Sequence, residues 1–349
     1  MNWCELARVT RSGREESRHR GAWALVDAAG RILDSRGDPR QPIWARSSVK
    51  AFQALPFVAL GLLERHGLGD AHLAVICGSH SGEPRHRALV AEILAAGGLA
   101  ERDLACGYHR PFDGASAREQ IRQGAPDSPL YHNCSGKHAG MLLLARALGA
   151  SPADYRDPEG PGQRLIRDTL AAFAGGMQPE LGWDGCSAPS FRLPLAALAR
   201  AMAALVADDL PAGLPRPELP WAAAVRRVVA AQLAHPELVG GSRRRLDTDL
   251  MRAGGGRILA KSGAEAVELL ALPGRALGLA LKVADGSDRA VGPVVLALLE
   301  RWEILRGKDL ERVAEWRHAE QIDASGRVTG RVEVLPEGLP TAAAGPPLR

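Results

Sequence analysis

The sequence predicts an α+β fold in which strands from the two ends of the chain form one antiparallel sheet with flanking helices, and a mainly helical lobe is inserted between them. Two observations lead there. Short apolar runs separated by turn residues lie at both ends, and segments with apolar residues at helical spacing fill the middle. At 349 residues, 46% hydrophobic and 24% charged, the chain has the length and composition of a globular protein with a sizeable core.

The N-terminal strands are Ala22 to Asp27 and Arg31 to Ser35, with Ala28-Ala29-Gly30 as the turn. From Ser47 the pattern becomes helical, with Ala51, Leu55, Val58, Ala59 and Leu62 on one face and Gly67 as the stop. Further helices are predicted at about 85–96, 136–148, 160–173, 194–207 and 220–234. Arg257 to Lys261, Ala266 to Leu272 and Leu277 to Ala284 read as strands, followed by a helix at about 290–305 and a last strand at Val328 to Leu335. The expected organisation is one catalytic domain, 1–335, with a sheet lobe (1–45 and 255–335) and a helical lobe (46–254). Residues 336–349, rich in Ala and Pro, form a flexible tail in this reading.

Composition excludes several classes. A net charge of +4 with 4% aromatic residues gives no basic, base-stacking face for nucleic acid. Arg243-Arg244-Arg245 and the stretch from Arg11 to Arg20 read as solvated loops. The first twenty residues are charged throughout, which argues against a secretory signal, and no apolar run is long enough to span a bilayer. Five cysteines without framework spacing fit a reducing, cytoplasmic setting. Only five of the 44 basic residues are lysine: Lys50, Lys137, Lys261, Lys282 and Lys308. Each of the five therefore deserves a reason, because a buried ammonium can lose its proton and a guanidinium cannot.

Three of these lysines sit in motifs with chemistry in them. In Ser47-Ser48-Val49-Lys50, Ser47 and Lys50 are three apart on a predicted helix, where a neutral amine could take the proton of a serine hydroxyl; Ser is equally a common N-cap. Lys261-Ser262-Gly263 at the end of a predicted strand is similar to the Lys-Thr-Gly element of hydrolases that begin with Ser-x-x-Lys. Cys77-Gly78-Ser79-His80-Ser81-Gly82 places small residues around Ser79, either for close approach of a ligand or as a plain turn. His132-Asn133-Cys134-Ser135-Gly136-Lys137-His138 and Asp184-Gly185-Cys186 offer two thiols and an amine, a donor set that suits Zn²⁺. On spacing alone, buried inert thiols are the simpler account of these cysteines. Cys4, Cys106, Lys282 and Lys308 are assigned no role.

Taken together, these motifs resemble the rhizobial-type L-asparaginase family, which is related in fold to serine β-lactamases and penicillin-binding proteins. The resemblance rests on Arg46 to Lys50, Ile76 to Glu83, Asn133 to His138, Trp183 to Cys186 and Lys261 to Gly263, and it spans roughly residues 1 to 335. It implies two Ser-Lys pairs, Ser47 with Lys50 and Ser79 with Lys261, as catalytic residues. It also implies substrate contacts from Arg46 and His138, and a zinc ion held by Cys134, Lys137 and Cys186 with Asp184 nearby. The activity implied is hydrolysis of the side-chain amide of L-asparagine through a serine acyl-enzyme, by a homodimer. No counterpart of the Ser-Asp-Asn element of class A β-lactamases is present, which argues against antibiotic hydrolysis. The alternatives are a related hydrolase acting on glutamine or a β-lactam, and a non-catalytic zinc-dependent amino-acid-binding protein.

Overall fold

The computed structural model describes residues 2–340 and divides into two compact units. One takes in the chain up to Ser48, Leu193–Asp209 and the chain from Asp249 onward; the other takes in Val49–Arg192 and Leu210–Thr248.

The first unit is built on a seven-stranded antiparallel sheet. Its strands run in the order Val332–Val334, Cys4–Arg11, Arg14–Asp27, Leu277–Val283, Val267–Leu272, Leu259–Gly263, and Ile32–Arg36 also pairs with the long strand Arg14–Asp27. Strands from both chain ends therefore share one sheet, as the α+β reading expects. The long strand meets Cys4–Arg11 through its first half and Ile32–Arg36 through its second, in registers such as Arg8↔Arg18 and Ala24↔Ser35.

The hairpin formed by Cys4–Arg11 and Arg14–Asp27 corrects the reading of Arg11 to Arg20 as a solvated loop. The charges are in water, but they stand on paired strands: Arg18 bonds Glu15 at 2.6 Å and also Glu5, and Arg20 bonds Glu5 at 3.2 Å. Charge density hid the strand because an exposed strand carries no apolar alternation to detect.

The helix Leu195–Leu205, expected in the helical lobe, belongs to the sheet unit. The reason is Gly278, in the strand Leu277–Val283. A Cβ at that position would lie 1.9 Å from the carbonyl oxygen of Ala199 and 2.7 Å from the nitrogen of Ala203, so the Ala-rich helix rests directly on the strand backbone. Gly278→Ala is accordingly expected to cost about 1–3 kcal/mol or more through overpacking, and to lower the melting temperature by several degrees. A melt indistinguishable from wild type would show that the helix does not seat there.

Part of the expected flexible tail is tied down. Pro336–Gly338 forms a 3₁₀ turn, and the Trp23 indole, fully buried and edge-on to Trp302 at 5.6 Å, donates to the Gly338 carbonyl at 2.7 Å. Residues 341–349 of that tail lie outside the described residues.

The second unit is mainly helical. Lys50–Ala59 is buried along its whole length and packs Phe52 against Phe173 of Pro161–Phe173. Ser135–Ala147 approaches Asp70–Ile76 so closely that a Cβ on Gly136 would sit 2.4 Å from the Val75 carbonyl oxygen. Four predicted helices of this unit are present, as Pro84–Ala96, Ser135–Ala147, Pro161–Phe173 and Trp221–Ala234. The segment just before Cys77 is the helix Asp70–Ile76, and Gly114–Gln123, whose polar surface leaves little apolar pattern, is a helix that periodicity missed. The hairpin of Glu180–Trp183 with the strand starting at Pro189 was also unanticipated.

Candidate active site

The helical unit places Lys50 on Ser79. Lys50 opens the helix Lys50–Ala59, is fully buried, and its Nζ donates to the Gly78 carbonyl at 2.5 Å and to Ser79 Oγ at 2.9 Å. Ser79 follows the end of Asp70–Ile76 and is pinned by its own N–H to the Val239 carbonyl at 2.8 Å. Glycine is required at 78, where a Cβ would be 2.9 Å from the Leu238 oxygen and 3.0 Å from the Val239 oxygen. Burial pulls the Lys50 amine below the ordinary lysine range, and the neighbouring Lys137 charge pushes the same way against Cys134 and Cys186.

Arg245 secures the far side of this segment. Its guanidinium donates to the Ser79 carbonyl at 2.8 Å, the Gly240 carbonyl at 2.9 Å and Ser81 Oγ at 3.2 Å. The reading of residues 243–245 as a solvated run holds for Arg243, which is 68% exposed, and fails for Arg245, at 18%. Nothing in a run of three arginines distinguishes the one that turns inward. Beside it the Glu83 carboxylate accepts from the Ser242 N–H and hydroxyl at 2.7 and 2.9 Å.

The same unit gathers Cys134, Lys137 and Cys186. Cys134 immediately precedes the helix Ser135–Ala147 and Lys137 lies in its first turn, while Cys186 is carried by the tight loop of the unanticipated hairpin, closed by Asp184 N–H to the Ala188 carbonyl at 2.9 Å. All three side chains are buried, and Lys137 Nζ donates to Cys186 Sγ at 3.2 Å. A hydrogen bond from Cys186 draws the Cys134 thiol well down, helped by the Lys50 and Lys137 charges and His132, while the same bond raises Cys186. Burial opposes a charge on Lys137, but Cys186, Cys134 and Asp184 outweigh it and hold the amine above its usual range.

This set fits zinc in its chemistry: two sulfurs and one nitrogen meeting in a buried cluster, with a carboxylate close by. Among the described residues no group of three or more His, Cys, Asp or Glu is placed to hold a metal, so a zinc ion here would need Lys137 as its third donor. His138, on the same helix, bonds Tyr155 Oη through Nδ1 at 2.6 Å.

Arg46, Ser47 and Lys261 belong to the sheet unit. Arg46 opens a 3₁₀ turn, Arg46–Val49, with a strained φ of 53°, a conformation that non-glycine residues hold mainly where the surroundings impose it. The turn settles which hydroxyl of the pair Ser47-Ser48 is committed to structure: Ser48 Oγ donates to the Ala45 carbonyl at 2.6 Å. The Lys261-Ser262-Gly263 strand lies directly against this turn, since a Cβ on Gly263 would be 2.9 Å from the Ala45 oxygen and 3.2 Å from the Ser48 nitrogen. Lys261 is buried and its Nζ donates to the Ser262 carbonyl at 2.8 Å. The bond from Lys50 to Ser79 crosses the two Ser-Lys pairs that the family resemblance implies, joining the lysine of one to the serine of the other. Lys282, given no role, holds the Val283 carbonyl at 2.6 Å and also that of Glu265.

A family model described as L-asparaginase II matches residues 7–334. The chain belongs to the L-asparaginase II family. The resemblance carried by the five motifs is thereby borne out.

Similar solved structures are Mglu in its native form (18% identity over 83% of this chain and 66% of that chain, TM-score 0.43) and Mglu in its glutamate form (19%, 82% and 61%, 0.44). A β-lactamase from Mycobacterium bovis is also similar (16%, 82% and 95%, 0.39). This L-asparaginase II family chain spans less than two thirds of those Mglu chains. No curated protein matches it. Among its described residues no helix is long and apolar enough to cross a membrane.

Proposed function

We propose that this L-asparaginase II family chain is an amidohydrolase that converts L-asparagine to L-aspartate and ammonia through a serine acyl-enzyme, as a homodimer. The observation that carries the reading is the hydrogen bond between the buried amine of Lys50 and Ser79 Oγ, beside the Cys134–Lys137–Cys186 cluster. A desolvated lysine is a base able to activate a serine hydroxyl, and serine is a poor nucleophile until a base takes its proton.

In this mechanism Ser47 Oγ attacks the side-chain amide carbon as Lys50 removes its proton. The C–N bond breaks and the leaving nitrogen is protonated as it departs as ammonia, with Ser79 and Lys261 relaying the proton. The aspartyl ester on Ser47 is then hydrolysed by a water deprotonated by one of the Ser-Lys pairs, which frees aspartate and the serine. Arg46 and His138 bind the substrate. Cys134, Lys137 and Cys186 would hold zinc, with Asp184 orienting the set; bound there, the ion supplies positive charge that polarises a carbonyl or a water.

The Lys50–Ser79 bond also favours a second reading in which Ser79 is the nucleophile and Lys50 its immediate base. The substrate assignment is tested by ammonia release from asparagine and glutamine and by hydrolysis of a chromogenic β-lactam, each with and without added zinc. Release from asparagine in clear excess over the others is expected. Turnover of glutamine or the β-lactam with none of asparagine would overturn it.

A further inference from the structure

We infer that Tyr155 is a positioning residue that fixes the tautomer of His138, leaving the ring proton on Nε2 where it is offered to a hydrogen-bond acceptor on the substrate. The inference rests on the reading above for one point, that His138 meets the substrate.

Four observations in the helical unit carry it. Tyr155 Oη accepts the Ala105 N–H at 2.9 Å and lies 2.6 Å from His138 Nδ1, with both side chains buried. Tyr155 is itself held in place: its carbonyl accepts from Gln163 Nε2 at 2.9 Å, and its ring stands edge-on to the imidazole at 84°. With the oxygen already accepting from Ala105, the buried hydroxyl still has a proton to place, and His138 Nδ1 at 2.6 Å is the acceptor assigned to it. A neutral imidazole accepting at Nδ1 carries its hydrogen at Nε2.

That Nε2 is buried and meets no hydrogen-bond partner among the described residues, which is costly for a donor unless a ligand completes it. A buried N–H of this kind takes a hydrogen-bond acceptor, and an amino-acid substrate supplies oxygen atoms that serve as one.

The tautomer is measured first, without substrate. In ¹⁵N-histidine-labelled protein, long-range ¹H–¹⁵N spectra, with the His138 signals assigned by their loss in His138→Gln, should show a pyridine-type Nδ1 and a pyrrole-type Nε2. Tyr155→Phe, which keeps the ring and deletes only the hydroxyl, should shift this pattern towards a tautomer mixture. A pyrrole-type Nδ1 in the wild type, or an unchanged spectrum in Tyr155→Phe, overturns the inference whatever the enzyme turns out to hydrolyse. Kinetics then test its use: Tyr155→Phe should raise KM for asparagine about tenfold with kcat within about twofold. An unchanged KM beside a shifted tautomer overturns the offer to the substrate and leaves the positioning of the ring standing. If no amide is turned over at all, the proposed function fails while the spectra still decide the tautomer.

Discussion

Lys50→Arg should lower kcat for ammonia release from asparagine by about a thousandfold, the scale of a lost general base. The amine is fully buried, and its bonds to the Gly78 carbonyl and Ser79 Oγ, with Cys134 close by, suit a point donor rather than a planar fork. Arginine keeps the positive charge and cannot give it up, so charge without basicity is what the variant examines. Because a guanidinium in a tight site also threatens the fold, the companion variants are Ser47→Ala and Ser79→Ala, each of which removes one small hydroxyl. Ser47→Ala should abolish turnover, and Ser79→Ala should slow it while still permitting an acyl-enzyme to be trapped on the Ser47 peptide. If Ser47→Ala retains turnover and the trapped mass sits on Ser79, the second reading replaces the first. Full activity in a folded Lys50→Arg protein would remove lysine as the base in either reading.

The second large effect concerns the metal. The double variant Cys134→Ser, Cys186→Ser should fall from one zinc per chain to essentially none by elemental analysis, since hard hydroxyls replace both thiolate donors. Lys137→Arg should also lose the ion, because a guanidinium has no lone pair to donate. The three side chains meet in one buried cluster, so each loss should be felt. A double variant that still carries one zinc per chain would exclude this cluster as the metal site.

Much of the fold was legible because periodicity reports burial. Pro84–Ala96 and Trp221–Ala234 each bury one face, and the spacing of their apolar residues announces it, while Ser135–Ala147 and Leu277–Val283 are apolar runs buried almost throughout. Cys4–Arg11, the charged first half of Arg14–Asp27 and the helix Gly114–Gln123 were missed: the latter two stand largely in solvent, where burial imposes little pattern, and charged residues interrupt the few buried positions of the first. The site divided in a similar way. Ser79, Lys137 and Cys186 could be named because each belongs to a short motif whose residue types carry chemistry. Arg245 and Tyr155 could not, since their parts are set by what they touch: three oxygen acceptors in one case, an imidazole nitrogen in the other.

The sequence by itself determined the family and the α+β class, because a few motifs with fixed local spacing and the rhythm of apolar residues are written along the chain. Its scarcity of lysine even singled out the amines at 50, 137 and 261. Only the tertiary structure decided which groups meet. It brought Lys50 to Ser79, delivered Cys186 to Cys134 and Lys137 on the loop of a hairpin, committed Ser48 to the Ala45 carbonyl, and seated Leu195–Leu205 on the sheet. The physical reason is reach. Spacing along a chain dictates contacts within a helical turn or along a strand, whereas the meeting of distant segments is set by which surfaces pack most closely, down to a single glycine that lets two backbones touch.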